Sequence, residues 1–465
     1  MNFFEGLSVS VFWSAILFLV MALTSCCIYK KQATEIDFPK NALNAAALDT
    51  ASLFLRTDDI PAEWWLLFED DQLTSFIETA FRNNPTLHEA RTQVYIALYS
   101  AQEVRAGLFP LINWGGDILR EKLSETGLIP FNQKSTQTGA NAPLPATGGV
   151  AGIPVYFTQY ETEFTLAYDF DIWDKRRNRL KAALGEVQAR IADDAFIHLE
   201  LGTALAKTYF QLQVLYQRKA INQEFVDNEI KINQMKEGLV QGYLNDALFI
   251  SNASARLADA KIALLNVQNE IAIKETELRG YLAGAFDESI VPIIPQVLPQ
   301  VPLPAKLPLH LLSNRPDIAA ELWLIQSARR HIDIAEMEFY PDFNISALFG
   351  YQTIHLHKLF EWPSSFFNIN PAFSLPLFTG GLLEANLSRV ESSYDSAVYR
   401  YNQLVITATK EVLDSLSRIK FGHYVLTETE NKLAHQEDSS VLTYERFQNN
   451  IDSQLAYLQS QQFVL

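Results

Sequence analysis

Four carboxylates and two histidines form the densest groups of chemistry-bearing side chains in this chain. Glu161, Glu163, Asp169 and Asp171 occupy odd positions of a single stretch, and His355 and His357 are separated by one residue. A carboxylate pair such as Asp169 and Asp171 is the minimum equipment for general acid–base work. Alternate residues of an extended chain share a face, however, so the four acids read as a solvated acidic wall rather than an opposed pair. The two imidazoles would give a metal two ligands where a structural or catalytic zinc site takes three or four protein ligands. The remaining histidines, of eight in all, are scattered, and the only cysteines, Cys26 and Cys27, are adjacent and have no histidine nearby. No Gly-rich phosphate loop follows a strand. The sequence therefore predicts no catalytic site, metal or cofactor, and the chain is not expected to be an enzyme. A net charge of −17 also argues against a nucleic-acid partner, because phosphates are held mainly by Lys and Arg.

An acidic wall needs strands to carry it, and four segments alternate with a period of two. In the second, Tyr160, Thr162, Phe164, Leu166, Tyr168 and Phe170 oppose Glu161, Glu163, Thr165, Asp169 and Asp171. In the third, Phe343, Ile345, Ala347, Phe349 and Tyr351 oppose Asp342, Asn344, Ser346 and Gln352. The fourth sets Phe367, Ile369, Phe373, Leu375 and Leu377 against Asn368, Asn370 and Ser374, and the first sets Ile112, Trp114 and Ile118 against Asn113 and Asp117. Strands are thus predicted near 110–120, 156–172, 342–352 and 366–378. An aromatic face opposite a polar one, over roughly ten residues, fits a transmembrane β-barrel, though a sheet packed on a soluble core alternates in the same way. The stretch from Asn132 to Gly149 is rich in Gly, Pro, Asn and Ser and reads as an exposed loop.

The chain also repeats itself. Asn84-Pro85 aligns with Arg315-Pro316, and without a gap Phe109-Pro110 then falls on Tyr340-Pro341. Pro85 and Pro316 suit the first turn of a helix, Asp317 suits its positive end, and Pro110 and Pro341 lie where each helix must stop. Long helices are predicted from about Lys175 to Val240 and from Leu382 to about Asn449, and after Asp246 a heptad runs through Ile250, Leu257, Leu264, Ile271 and Leu278. At ~1.5 Å per residue each long helix approaches ~100 Å. The organisation is a leader at 1–25, a first repeat half at 26–290, a Pro-rich connector at 291–312 and a second half at 313–465.

The apolar run Val9–Leu23, broken only by Ser10 and Ser14, is short for a spanning helix and suits a signal peptide. Leu23-Thr24-Ser25-Cys26 resembles the bacterial lipobox, which makes Cys26 the acylated mature N-terminus. The alternative is an uncleaved anchor helix with a chance cysteine, since no Lys or Arg precedes the run. With Cys27 rather than Asp in the next position, the resemblance favours the outer membrane.

Several motifs together resemble the outer-membrane factor family, the TolC-type channels, in its lipoprotein branch. They are Glu63-Trp64-Trp65 with Asp71-Gln72-Leu73 and Asn84-Pro85, then Tyr168-Asp169-Phe170-Asp171-Ile172-Trp173-Asp174-Lys175-Arg176-Arg177, then Arg315-Pro316-Asp317-Ile318, and Pro376-Leu377-Phe378 with Gly380-Gly381. The resemblance implies an α+β membrane fold in which four strands per chain enter a trimeric twelve-stranded barrel, continued by a periplasmic helical barrel. Four strands alone would leave open edges in lipid, which also demands oligomers. The implied partners are two further copies, outer-membrane lipid, a periplasmic adaptor and an inner-membrane transporter, and the implied activity is passive efflux of small toxic compounds. A type I protein-secretion duct and a structural coiled-coil lipoprotein without a pore are the competing readings. Glu161, Glu163, Asp169 and Asp171 would line the lumen. The periplasmic gate would fall at the helix-end turns, with Tyr243 and Asp246 in the first and Asn449, Asn450 and Asp452 in the second. The competing role for Asp452 is to cap the final helix.

Overall fold

The computed structural model describes residues 56–57, 63–122, 156–243, 246–284, 291–293, 303–304 and 315–464. The leader, Cys26 and the 132–149 loop lie outside these residues, as do Leu244, Asn245 and most of the connector.

Local side-chain chemistry sets the helix starts. α1 (Asp71–Asn83) begins where the Asp70 carboxylate accepts from the Leu73 N–H at 2.9 Å, and α2 (Pro85–Ala106) begins where Asn84 accepts from Thr86 N–H at 2.9 Å. These are orphan donors that a helix end must satisfy. Pro85 takes the first helical position, as Pro316 does in α5 (Pro316–Met337), and both helices are 22 residues long. Both also stop a few residues short of the proline predicted to end them. The long helices α3 (Lys175–Gln241) and α6 (Leu382–Gln448) have 67 residues each. α4 (Ala247–Tyr281) returns from the end of α3, and α7 (Gln454–Gln461) returns from the end of α6. Among the described residues no helix is long and apolar enough to cross a membrane.

The core lies between helices. Leu73, Phe76 and Ile77 of α1 meet Leu205, Tyr209 and Leu212 of α3 and Leu278 of α4. A second cluster joins Ile318 and Ile325 of α5 to Val398, Tyr401 and Val405 of α6. In α4 one heptad row, Ala253, Ala260 and Val267, is buried, whereas the other is buried at Ile271 and Leu278 and half-buried at Ile250, Leu257 and Leu264.

Among the described residues the connector pairs with an earlier segment, in a two-residue parallel pairing of β1 (Arg56–Thr57) with β4 (Leu303–Pro304). The main sheet comprises β2 (Leu111–Lys122), β3 (Tyr156–Phe170), β5 (Asp342–Thr353) and β6 (Ser365–Ser374), antiparallel throughout in the order β2-β3-β5-β6. Its register sorts the two faces. Trp114, Phe164, Phe349 and Phe367 form one row across all four strands, and Ile112, Leu166, Ala347 and Ile369 form the next row on that face. On the other face Asn113, Thr165, Leu348 and Asn368 align, as do Asp117, Glu161 and Gln352. Leu111, Leu119, Phe157, Leu348 and Phe366 are large apolar exceptions there. Gly350 is required at its position, because a Cβ would lie 2.5 Å from the Thr162 carbonyl oxygen and 2.9 Å from Glu163 Cβ.

Two predicted strand boundaries are corrected. β6 stops at Ser374, so Leu375 and Leu377 lie beyond it. β3 stops at Phe170, and Asp171 is a junction residue. Its carboxylate is drawn to the start of α3, where it accepts the Arg176 N–H at 2.8 Å and the Arg177 N–H at 3.0 Å. The positive end of a helix holds an anion more firmly than the rim of a strand does.

Candidate functional site

The polar sheet face and the two helix-end turns hold most of the residues singled out in the sequence. Three of the four acids share the face of β3 as expected. Glu161 stands opposite Asp117 on β2 and Gln352 on β5, and its carboxylate accepts from Gln159 Nε2 at 2.9 Å and Gln352 Nε2 at 3.2 Å. Glu163 is flanked by Gly115 and Gly350, so no neighbouring side chain faces it across either ladder. Asp169, opposite Asn344, is ion-paired to the Arg176 guanidinium, which also donates to the Gly107 carbonyl. The four acids therefore divide by role. Glu161 and Glu163, with Asp117, give the face its charge, while Asp169 and Asp171 tie the sheet to α3.

That tie is a basic–acidic knot at the sheet–helix junction. Trp173 Nε1 donates to the Pro341 carbonyl at 2.8 Å, Arg177 pairs with Asp174 at 2.6 Å, and Lys175 lies 3.5 Å from Asp342. Asp174 adopts a left-handed φ of 60° and makes no side-chain cap of its own, which is why Asp171 supplies it. The sequence marks this stretch as a motif but assigns neither Arg176 nor Trp173 a contact. The signal was the run Lys175-Arg176-Arg177 directly after two alternating acids.

The described residues of the two helix-end turns match in position. Gly242 and Asn449 end α3 and α6, Tyr243 and Asn450 follow with φ of 57° in both, and Asp246 and Ser453 cap the returning helices. Asp246 accepts from the Phe249 N–H at 3.0 Å, and Ser453 Oγ accepts from the Ala456 N–H at 3.2 Å. Ser453, rather than Asp452, is thus the cap of the last helix, and the competing role for Asp452 is overturned. Asp452 instead meets Arg446, whose hydrogen bonds hold the carboxyl below the usual carboxylate range. Of its neighbours in the turn, Asn449 donates through Nδ2 to the Glu445 carbonyl at 2.9 Å, and Asn450 turns the chain. Tyr243 is 97 % exposed.

His355 and His357 sit in the β5–β6 loop with ring centroids 5.9 Å apart, and no group of three or more metal-ligating side chains is found among the described residues.

The chain thus combines a sheet that has an aromatic and a polar face with two paired long helices. The profile of the outer membrane efflux protein family matches residues 76–284 and 307–465, and the chain belongs to that family. It is 31 % identical over 365 residues to the multidrug resistance outer membrane protein MdtP of Escherichia coli (strain K12), covering 77 % of this chain and 72 % of that protein. It is 28 % identical over 380 residues to MdtQ of Escherichia coli O157:H7, another multidrug resistance outer membrane protein, with 81 % and 77 % covered. Among solved structures, the outer membrane protein VceC of Vibrio cholerae is 26 % identical with a TM-score of 0.71, covering 87 % of this chain and 94 % of that one. The CmeC outer membrane channel of Campylobacter jejuni, at 20 % identity, shares the fold with a TM-score of 0.75 over 94 % of this chain and 87 % of that one.

Proposed function

We propose that this chain is one third of a passive exit duct in the outer membrane, which discharges small toxic compounds delivered by a periplasmic adaptor and an inner-membrane transporter. One observation carries the reading. β2 and β6 end the sheet order, and among the described residues neither has a second partner strand. Backbone groups left unpaired in lipid cost several kcal/mol each, so the sheet must close on other copies. Three copies of four strands make a twelve-stranded barrel, an even number within the known range.

The dimensions support it. Twelve residues at ~3.3 Å give β2 a length of ~40 Å, which at a tilt of ~40° spans ~30 Å, the thickness of a hydrocarbon core. The aromatic face then meets lipid and the acidic face lines the pore. Asp117, Glu161 and Glu163 favour cations and neutral solutes over anions. Cys26 anchors the mature N-terminus by a lipid, and the matched helix-end turns form the periplasmic gate, in which Arg446 tempers the Asp452 ring. The paired 22- and 67-residue helices support an internal repeat. The names of the relatives favour drugs over exported proteins as cargo.

The test is planar-bilayer conductance of the purified protein combined with chemical cross-linking. A trimer with discrete, cation-preferring steps is expected. A non-conducting assembly would leave a structural lipoprotein.

A further inference from the structure

The loop joining β5 to β6 holds large apolar side chains out of the protein in a fixed geometry. It contains two short 3-10 turns, Leu356–Lys358 and Trp362–Ser364, and its backbone is closed by bonds from Lys358 N–H to the His355 carbonyl (2.8 Å) and from Ser364 N–H to the Glu361 carbonyl (2.9 Å). Ser364 Oγ donates to the Lys358 carbonyl and Ser365 Oγ to that of Trp362. On this frame Leu356 is 60 % exposed, and Phe360 and Trp362 are each 76 % exposed. Leaving three such side chains in water is unfavourable, and an ordered loop gives them no means of folding inward.

The direction Phe360 faces follows from one contact. The Phe360 ring packs edge-on against Tyr351, with centroids 5.9 Å apart, and Tyr351 in turn packs against Phe349 at 5.8 Å. Phe349 belongs to the row of Trp114, Phe164 and Phe367, so the aromatic face of the sheet continues past the end of β5 into the loop. We infer that this loop is a lipid-interface anchor, in which Leu356, Phe360 and Trp362 seat at the boundary of acyl chains and headgroups of the outer leaflet. Trp at the headgroup level with apolar neighbours below is the arrangement membrane interfaces select. Lys358 and Glu361 supply the polar rim that stays among headgroups. The anchor fixes the height of the barrel in the membrane. It rests on the reading that the aromatic sheet face meets lipid.

Tryptophan fluorescence of the assembled protein in phosphatidylcholine vesicles separates the two claims. The difference in emission between the native chain and Trp362→Phe isolates Trp362, and that between the native chain and Trp114→Phe isolates a residue on the strand face itself. With lipid brominated near the headgroup end of its chains, Trp362 emission is expected to fall roughly twofold more than with lipid brominated near the chain ends. Soluble iodide should have little access. A Trp114 quenched by brominated lipid together with a Trp362 reached only by iodide would overturn the anchor while sparing the barrel. A Trp362 reached by neither quencher would place the loop against protein and overturn the anchor equally. A Trp114 untouched by lipid bromine would remove the barrel reading and the anchor with it. Should Trp362→Phe fail to assemble, a spin label on Leu356→Cys gives the same reading, with relaxation by oxygen expected to exceed that by a soluble nickel chelate.

Discussion

Arg446 grips Asp452 across the turn that closes α6, with Nε 2.7 Å from Oδ2 and Nη2 3.2 Å from Oδ1. Both residues are also held by backbone, since the Arg446 carbonyl accepts the N–H of Ile451 at 2.8 Å and of Asp452 at 3.3 Å. The guanidinium and carboxylate are therefore placed by the turn itself.

Charge changes at this pair should move ion selectivity in opposite directions. Arg446→Gln leaves the carboxylates uncompensated and raises cation preference, whereas Asp452→Asn leaves the guanidinium and lowers it. Because Ser453 holds the cap of α7, neither variant should unwind that helix. Reversal potentials in asymmetric salt decide the matter, and unchanged values in both variants would remove this turn from the conduction path. The sign with pH also follows. The carboxyl lies below its ordinary 3.8, so the pair is intact above that value and is lost only as pH falls through the lowered one.

Gly350→Ala should weaken the barrel. The added methyl meets backbone at 2.5 Å, and overpacking of this kind costs ~1–3 kcal/mol. A lower temperature for loss of the trimer band on electrophoresis is the expected result. Gly115→Ala, where a Cβ meets nothing within 4 Å, is the control.

Alkali should loosen the helical region. Burial and the hydrogen bond to Glu275 push the Tyr216 phenol up to about 12 from its ordinary 10.0, and burial with the neighbouring Asp70 carboxylate raises that of Tyr209 as well. A raised folded value means that stability is full below pH 10.0 and falls as pH rises from there towards about 12. Circular dichroism melts across that window should show the slope, and Tyr216→Phe should lessen it while costing ~1 kcal/mol for the lost hydrogen bond. A melt independent of pH in this window would contradict the assignment.

Cys26 should carry lipid. Mass spectrometry of the mature N-terminus is expected to find an acylated Cys26, with residues 1–25 removed. A chain beginning at Met1, or an unmodified cysteine, would remove the anchor.

Periodic features were the legible ones. The long helices and the strand faces emerge from spacing alone, and Pro85 and Pro316 marked two helix starts to the residue, because burial on one face repeats along an element. What periodicity does not encode was missed or misplaced. The Arg446–Asp452 pair spans a turn, the Asp171 cap depends on a helix beginning four residues later, and the need for Gly350 arises only once β3 and β5 lie side by side. The apparent role of Asp452 as a cap came from composition, and Ser453, one residue on, competes for it equally well in sequence.

The two unpaired sheet edges have a genetic consequence on the trimeric reading. Every barrel is closed by all three chains, so one subunit with a damaged β2 or β6 leaves a gap that the other two do not bridge. Such an allele, expressed equally with the normal one and mixing at random, leaves only about one assembly in eight wholly intact. Edge-strand mutations should accordingly be dominant, while mutations that block export of the chain altogether should be recessive.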